Sequence, residues 1–477
     1  MVKTRMAPSP TGEYHIGHIR TVLYNYAFAK KNNGKFVIRI EDTDRERFVE
    51  GASDRILQVI KDYGFSWDEG PSFQSQRLEI YKKHALELIE KGNAYYCFCS
   101  EERLTKLRED QKAKGMPSTK YDKKCLLLSK DEVKSNLNEG LKYVIRLNVK
   151  PNEVIKWKDE VFGEIEINSN DLDDQVLLKS DGFPTYHLAV VVDDHLMEIT
   201  HVIRGNDWIP STPKHVLLYK YFGWELPVYI HLPNLKEAGE NKKLSKRFGA
   251  VFATEFLEQG YLPEAVTNFL MFLGWNPGTE KEIYSMEEFI NDFIVSKIHK
   301  TDLVVFDRDK LSWFNGYYIR NMPTIDLLKA LREWSNKYSV DLGVEELGEK
   351  YVLKTLELVK ERMKTLGEFI PLTSYFFRKP TVLADLLKKH AQGEEVKILE
   401  SYTKLFESLK VWEKVELENK SHEILERSGF KPKQAFMTLR VAVSGTEATP
   451  PLFDTLEVLG KEEVLQRLKT ALKLLER

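Results

Sequence analysis

The sequence predicts an α/β fold: a doubly wound sheet domain, interrupted by an inserted module and followed by all-helical domains. Three observations predict it. Over residues 1–240, short β-branched runs alternate with amphipathic helical runs, the order of a parallel sheet with crossover helices. The stretch 95–175 breaks that order, with clustered cysteines and a polar, basic segment. Beyond Pro323 strand signals nearly vanish and helical periodicity takes over. At 477 residues the chain exceeds one core, and 42% hydrophobic with 30% charged residues is ordinary globular composition. No apolar run approaches a membrane span, and Met1-Val2-Lys3-Thr4 leads straight into a strand. A cytoplasmic protein with no membrane partner is therefore expected. The net charge of −2 means that a nucleic-acid partner would have to meet local basic patches. Three cysteines are too few for a disulfide framework.

The first strand is read over Val2–Ala7 and is broken by Pro8, Pro10 and Gly12. His15-Ile16-Gly17-His18 then opens a helix marked by Ile19, Val22, Leu23, Tyr26 and Ala27. Two histidines thus sit at a helix N-terminus, where free N–H groups and the helix dipole favour negative charge such as phosphate. A second strand, Lys35–Ile40, ends in Glu41-Asp42-Thr43-Asp44. Acidic residues at the carboxyl end of a strand are placed for a ligand, and Thr43 or Asp44 can equally cap a helix predicted from Arg45 to Tyr63. Leu78, Tyr81, Ala85, Leu88 and Ile89 make an amphipathic helix closed by Gly92.

All three cysteines, Cys97, Cys99 and Cys125, fall in the insert, and three soft ligands in a short span can hold zinc. In the alternative they are small buried hydrophobes. The sheet resumes at Val176, and Ser180-Asp181-Gly182 makes a tight turn. The strand Thr200–Ile203 is followed by Arg204 and Trp208, again at a strand's carboxyl end. Ser211-Thr212-Pro213 starts a helix that stops at Gly223. Lys242-Lys243-Leu244-Ser245-Lys246-Arg247 is a dense basic run, which alone reads as a solvated loop. Leu262-Pro263 opens a helix ended by Gly274, and Phe306–Asn315 reads as an RNA-backbone contact or a hinge core. Lys354, Lys360, Arg362 and Lys364 form a candidate basic helix face.

Taken together, His15-Ile16-Gly17-His18 and Lys243-Leu244-Ser245-Lys246-Arg247 resemble the "HIGH" and "KMSKS" signatures of class I aminoacyl-tRNA synthetases. Arg39–Asp44, Ser180–Ala189, Val202–Gly205, and Leu439–Gly445 with Pro450-Pro451 extend the resemblance over the whole chain, to bacterial glutamyl-tRNA synthetases. Val190 departs from it, since many relatives carry a polar residue there. The resemblance implies a Rossmann-type catalytic domain over 1–240, interrupted by a tRNA acceptor-binding module at 95–175. A KMSKS-loop and stem-contact domain over 241–322 and an anticodon-binding domain over 323–477 follow. It implies activation of L-glutamate by ATP with Mg2+ and transfer to tRNA-Glu, with tRNA-Gln as a further acceptor left open, by a monomer. His15, His18, Lys243 and Lys246 would be catalytic. Gly17, Trp208, Ser245 and Lys246 would bind ATP. Arg5, Ser9, Glu41, Tyr186 and Arg204 would bind glutamate, with Glu41 on the α-ammonium and the arginines on the side-chain carboxylate. Cys97, Cys99, Tyr121 and Cys125 resemble a zinc pattern of some relatives. Arg204 argues against a glutaminyl-type enzyme, and the two intact signatures argue against a non-catalytic tRNA-binding paralogue.

Overall fold

The computed structural model describes residues 1–116, 118–240, 244, 249, 251–344 and 347–476. They fall into two compact units, Met1–Glu255 with Val266–Arg308, and Phe256–Ala265 with Asp309–Arg477.

In the first unit β1 (Lys3–Met6) leads through a turn to α1 (Ile16–Lys31), and β2 (Lys35–Ile40) returns parallel to β1, pairing Arg5 with Val37. Both strands are almost wholly buried, although β1 reads Lys-Thr-Arg-Met; its polar side chains are paired, Lys3 with Glu69, Thr4 with the Asn25 carbonyl and Arg5 with Asp194. Next come α2 (Ala52–Asp62), β3 (Glu69–Phe73), parallel to β2, and α3 (Leu78–Glu90). The expected helix from Arg45 is thus shortened by seven positions. Asp44 accepts from the backbone N–H and the guanidinium of Arg47, making a local turn, and Gly51 at φ +71° starts the helix instead.

The insert holds β4 (Ala94–Cys97), α4 (Glu101–Ala113), α5 (Lys130–Asn138) and β5 (Val144–Leu147), with β4 antiparallel to β5. A hairpin of β6 (Val154–Asp159) and β7 (Gly163–Asn168) follows, then β8 (Val176–Leu178) on β5. After α6 (Tyr186–Leu196), β9 (His201–Gly205) and α7 (Thr212–Phe222), β10 (Val228–Leu232) lies parallel to β9. Its Tyr229 also pairs with Asp159 of β6. The β1 edge meets the start of β9 through Thr200, whose N–H donates to the Lys3 carbonyl at 3.0 Å. The Thr200 hydroxyl oxygen accepts from Lys3 N–H, so a side chain stands in for one rung of the ladder. The helices on these strands bury Leu88, Leu188, Val191, Leu217 and Leu218 completely or nearly so. Val190 packs in the same core, 1% exposed. β11 (Asn234–Glu237), α8 (Ala253–Glu258), α9 (Pro263–Met271), α10 (Met286–Asp292) and β12 (Leu303–Phe306) follow, with β11 parallel to β12.

Beyond β12 the described residues form helices and loops only. One helical core gathers Leu327, Leu331, Val352, Leu356 and Met363, and another Ile398, Tyr402, Phe406, Leu439 and Leu456. Of the expected basic face, Lys354, Arg362 and Lys364 are exposed, whereas Lys360 is buried; Arg362 also donates to the Thr449 carbonyl. In the Phe306–Asn315 stretch Phe306 and Phe314 are core, and Arg308 is paired with Glu237. No described helix is long and apolar enough to cross a membrane.

Candidate active site

A cavity of about 420 Å³ opens where β1, β2 and β9 end and α1 begins. All nine described residues singled out above for catalysis, ATP or glutamate line it: Arg5, Ser9, His15, Gly17, His18, Glu41, Tyr186, Arg204 and Trp208. Lys243, Ser245 and Lys246 lie outside the described residues. Their described neighbours flank the His15–His18 turn: Leu244 lines the cavity, and the Val251 carbonyl accepts from Ile16 N–H at 2.8 Å.

His15 is the N-cap of α1. Its Nδ1 accepts from the Gly17 N–H at 3.0 Å, which places the proton of a neutral ring on Nε2. A Cβ at Gly17 would stand 3.2 Å from that Nδ1, so glycine is what lets the ring cap the helix. The His15 and His18 rings are 6.1 Å apart. Arg20, a few residues along α1, is 3% exposed and donates to the carbonyls of Leu273 and Pro233. Burial without a carboxylate lowers its guanidinium to about 10.

One wall of the cavity is rich in carboxylates. Arg39, fully buried, bonds Glu41 at 2.9 Å and Asp194 at 2.8 Å. Asp194 also takes Arg5 at 3.2 Å. Neighbouring Asp193 accepts from Arg77, Gln74 and Tyr81. Burial alone would raise Asp194, but Arg5 and Arg39 overcome it and hold its carboxyl below the usual range. Burial wins at Glu41, whose carboxyl is raised despite Arg39. Of the acidic cluster after β2 only Glu41 lines the cavity, because Asp42 bonds Ser75 and Asp44 bonds Arg47.

Elsewhere the cavity lining holds a cation among neutral groups. Arg204 donates to Thr212 Oγ1 at 2.8 Å, His231 Nε2 at 3.1 Å and Tyr186 Oη at 3.2 Å, with His215 Nδ1 at 3.4 Å. No ion pair involves it among the described residues. Burial first, then Arg204, pushes His215 well below the usual histidine range, and burial lowers His187 to about 3. Tyr186 stacks obliquely on Trp208, ring centroids 4.4 Å apart.

The sequence reading passed over Asp194, Asp159, His215 and His231. The signal for Asp194 was present: two adjacent acids close an apolar run, Val190-Val191-Val192, where burial demands a cation. Val190, singled out as a departure beside the substrate, packs into the helix core, because α6 presents that side to apolar neighbours.

In the insert the sulfurs of Cys97, Cys99 and Cys125 lie within 4.8 Å of one another. Tyr121 Oη is 3.3 Å from Cys99 Sγ and accepts from Cys125 N–H at 3.0 Å. A hydrogen bond from Cys125 lowers the Cys97 thiol below the usual range. The donor set fits a soft, tetrahedral ion such as zinc.

Residues 1–313 match the family described as "tRNA synthetases class I (E and Q), catalytic domain", and residues 326–472 match an anticodon-binding domain family. The chain is 43% identical to a glutamate–tRNA ligase of Alkaliphilus metalliredigens, covering 98% of each chain. It is likewise 43% identical to one of Clostridioides difficile, again covering 98% of each. Among solved structures it resembles a glutamate tRNA ligase from Elizabethkingia meningosepticum in complex with its amino acid. That match has a TM-score of 0.88 and 35% identity over 99% of both chains. With residues 1–313 matching the class I catalytic family and 43% identity to glutamate–tRNA ligases over nearly the whole chain, the chain belongs to the glutamate–tRNA ligase family of class I aminoacyl-tRNA synthetases.

Proposed function

We propose that the chain activates L-glutamate with ATP and transfers it to the 3′-terminal adenosine of tRNA-Glu. The observation that carries this reading is the pair of unlike walls in one cavity. Glu41 suits an α-ammonium, and the acid-free Arg204 suits a side-chain carboxylate through its planar fork. In the first step the α-carboxylate of glutamate attacks the α-phosphorus, and pyrophosphate leaves. Charge grows on phosphoryl oxygens, so placement and positive donors supply the catalysis. His15 and His18 at the N-terminus of α1 supply two of these donors, and Lys243 and Lys246 two more. Gly17 and Trp208 border the ATP site, to which the motif resemblance also assigns Ser245; Ser9 and Tyr186 complete the amino-acid site. Magnesium bound with ATP neutralises part of the triphosphate charge. In the second step a terminal ribose hydroxyl of the tRNA takes the glutamyl group, and AMP leaves.

The module 95–175 would meet the acceptor end, held in shape by zinc on Cys97, Cys99 and Cys125 with Tyr121 at the fourth position. About one equivalent of zinc should copurify and be lost in Cys97→Ser; a metal-free, fully active protein would reduce the cysteines to packing. Aminoacylation of purified tRNA-Glu and tRNA-Gln tests the whole reading. Glutamyl-tRNA-Glu must form; glutamyl-tRNA-Gln would mark a non-discriminating enzyme, and absence of both would refute the proposal.

A further inference from the structure

Arg204 is held from behind by two buried side chains to which none of the roles above gives a task. We propose that Asp159 and His231 are positioning residues that aim the Arg204 fork and thereby set the preference for glutamate over glutamine. The proposal rests on reading Arg204 as the receptor of the side-chain carboxylate.

Asp159 closes β6 and His231 lies on β10; they are 1% and 0% exposed. Asp159 Oδ2 lies 2.6 Å from His231 Nδ1, and His231 Nε2 accepts from Arg204 Nε–H at 3.1 Å. Asp159 cannot swing away, because its Oδ1 accepts from the N–H groups of Val161 and Phe162 at 3.0 and 2.9 Å. Burial keeps His231 neutral at physiological pH, so the ring carries one proton. The carboxylate fixes that proton on Nδ1, and the lone pair on Nε2 then faces Arg204. Thr212 spends its own hydroxyl proton on the Trp208 carbonyl at 3.0 Å, so its oxygen is an acceptor for the other side of the guanidinium.

The imidazole between acid and base has a consequence. A buried guanidinium needs compensating charge, yet a carboxylate bonded directly to it would occupy the fork. Arg5 shows that outcome, since Asp194 holds its Nε and approaches one terminal nitrogen at 3.4 Å. Placed one ring away, Asp159 offsets the charge of Arg204 while the fork still has N–H groups to offer a ligand.

Asp159→Asn tests this, because the amide keeps the size of the side chain and its Oδ1 keeps the turn. Its N–H₂ would force the His231 proton to Nε2, where it meets Arg204 Nε–H donor to donor. Exchange of pyrophosphate into ATP, measured with each amino acid, should show kcat/KM for glutamate falling by roughly tenfold or more, mainly through KM. Glutamine should change far less, so the ratio falls. His231→Gln, whose amide can donate to Asp159 and accept from Arg204, should keep most of the ratio, whereas His231→Leu should lose it. That pair decides the matter even if Asp159→Asn does not fold. Equal losses for both amino acids, or an unchanged ratio in His231→Leu, would overturn the proposal. Arg204→Ala separates the two claims. If it leaves the ratio unchanged, the reading of Arg204 fails; if it collapses the ratio while Asp159→Asn and His231→Leu do not, the positioning role fails.

Discussion

The two walls of the cavity bury charge in opposite ways. On the side of β1 and β2, Arg5, Arg39, Glu41 and Asp194 compensate one another directly, with ion pairs of 2.8 to 3.2 Å. On the side of β9, Arg204 is surrounded by Thr212, His231, Tyr186 and His215, all uncharged. The difference teaches where a ligand's charges belong. The first wall is nearly neutral as a whole and can hold a zwitterionic amino-acid head by rearranging small charges. The second leaves Arg204 with no carboxylate bonded to its fork, so a carboxylate that a ligand brings can pair with it directly. An amino acid with a second carboxylate completes both walls; its amide completes only one.

The largest expected effect comes from removing that open fork. Arg204→Ala should cut kcat/KM for glutamate far more than for glutamine, shifting the ratio by about 10²-fold, since a buried carboxylate left unpaired costs a few kcal/mol. An unchanged ratio would mean that Arg5 and Tyr186 alone read the side chain. Glu41→Gln should sharpen the contrast from the other wall. It weakens the ammonium contact, raising KM by roughly tenfold, but equally for both amino acids, with the ratio preserved. A smaller effect concerns stability. His187 is held near about 3 and His215 well below the usual range by burial, while in the unfolded chain both titrate near 6.5. Below pH 6.5 the unfolded chain therefore binds protons that the folded chain refuses, and stability falls as pH drops toward 3. The slope is up to about 1.4 kcal/mol per pH unit for each histidine. Melting curves at pH 7 and pH 5 should show it, and His187→Gln should make the acid slope shallower.

Much of the site was legible because its residues stand in short, contiguous motifs at strand ends: the His15–His18 turn, Glu41 after β2, and Arg204 after β9. Strand ends converge in a parallel sheet, so local sequence predicts spatial neighbours. The supporting shell was not legible, because it comes from distant segments. Asp159 and His231 are 72 positions apart, and Arg5 and Asp194 are 189 apart. No local pattern links such pairs. The helix expected from Arg45 starts only at Ala52 for a local reason: Asp44 satisfies the backbone in a turn before the helix begins. Within the expected basic face only Lys360 turned inward, because side-chain charge says nothing about which way a helix faces its core.

The central claim is that the cavity is built for an amino acid with two carboxylates. ATP–pyrophosphate exchange by the wild-type protein, with tRNA-Glu present and glutamate, glutamine or aspartate as the amino acid, tests it most directly. Glutamate should support exchange strongly and glutamine weakly at the same concentration, because only glutamate brings a charge to Arg204. Aspartate, one methylene shorter, should also fail, since it cannot span from Glu41 to Arg204. Exchange with glutamine equal to or faster than with glutamate would contradict the account.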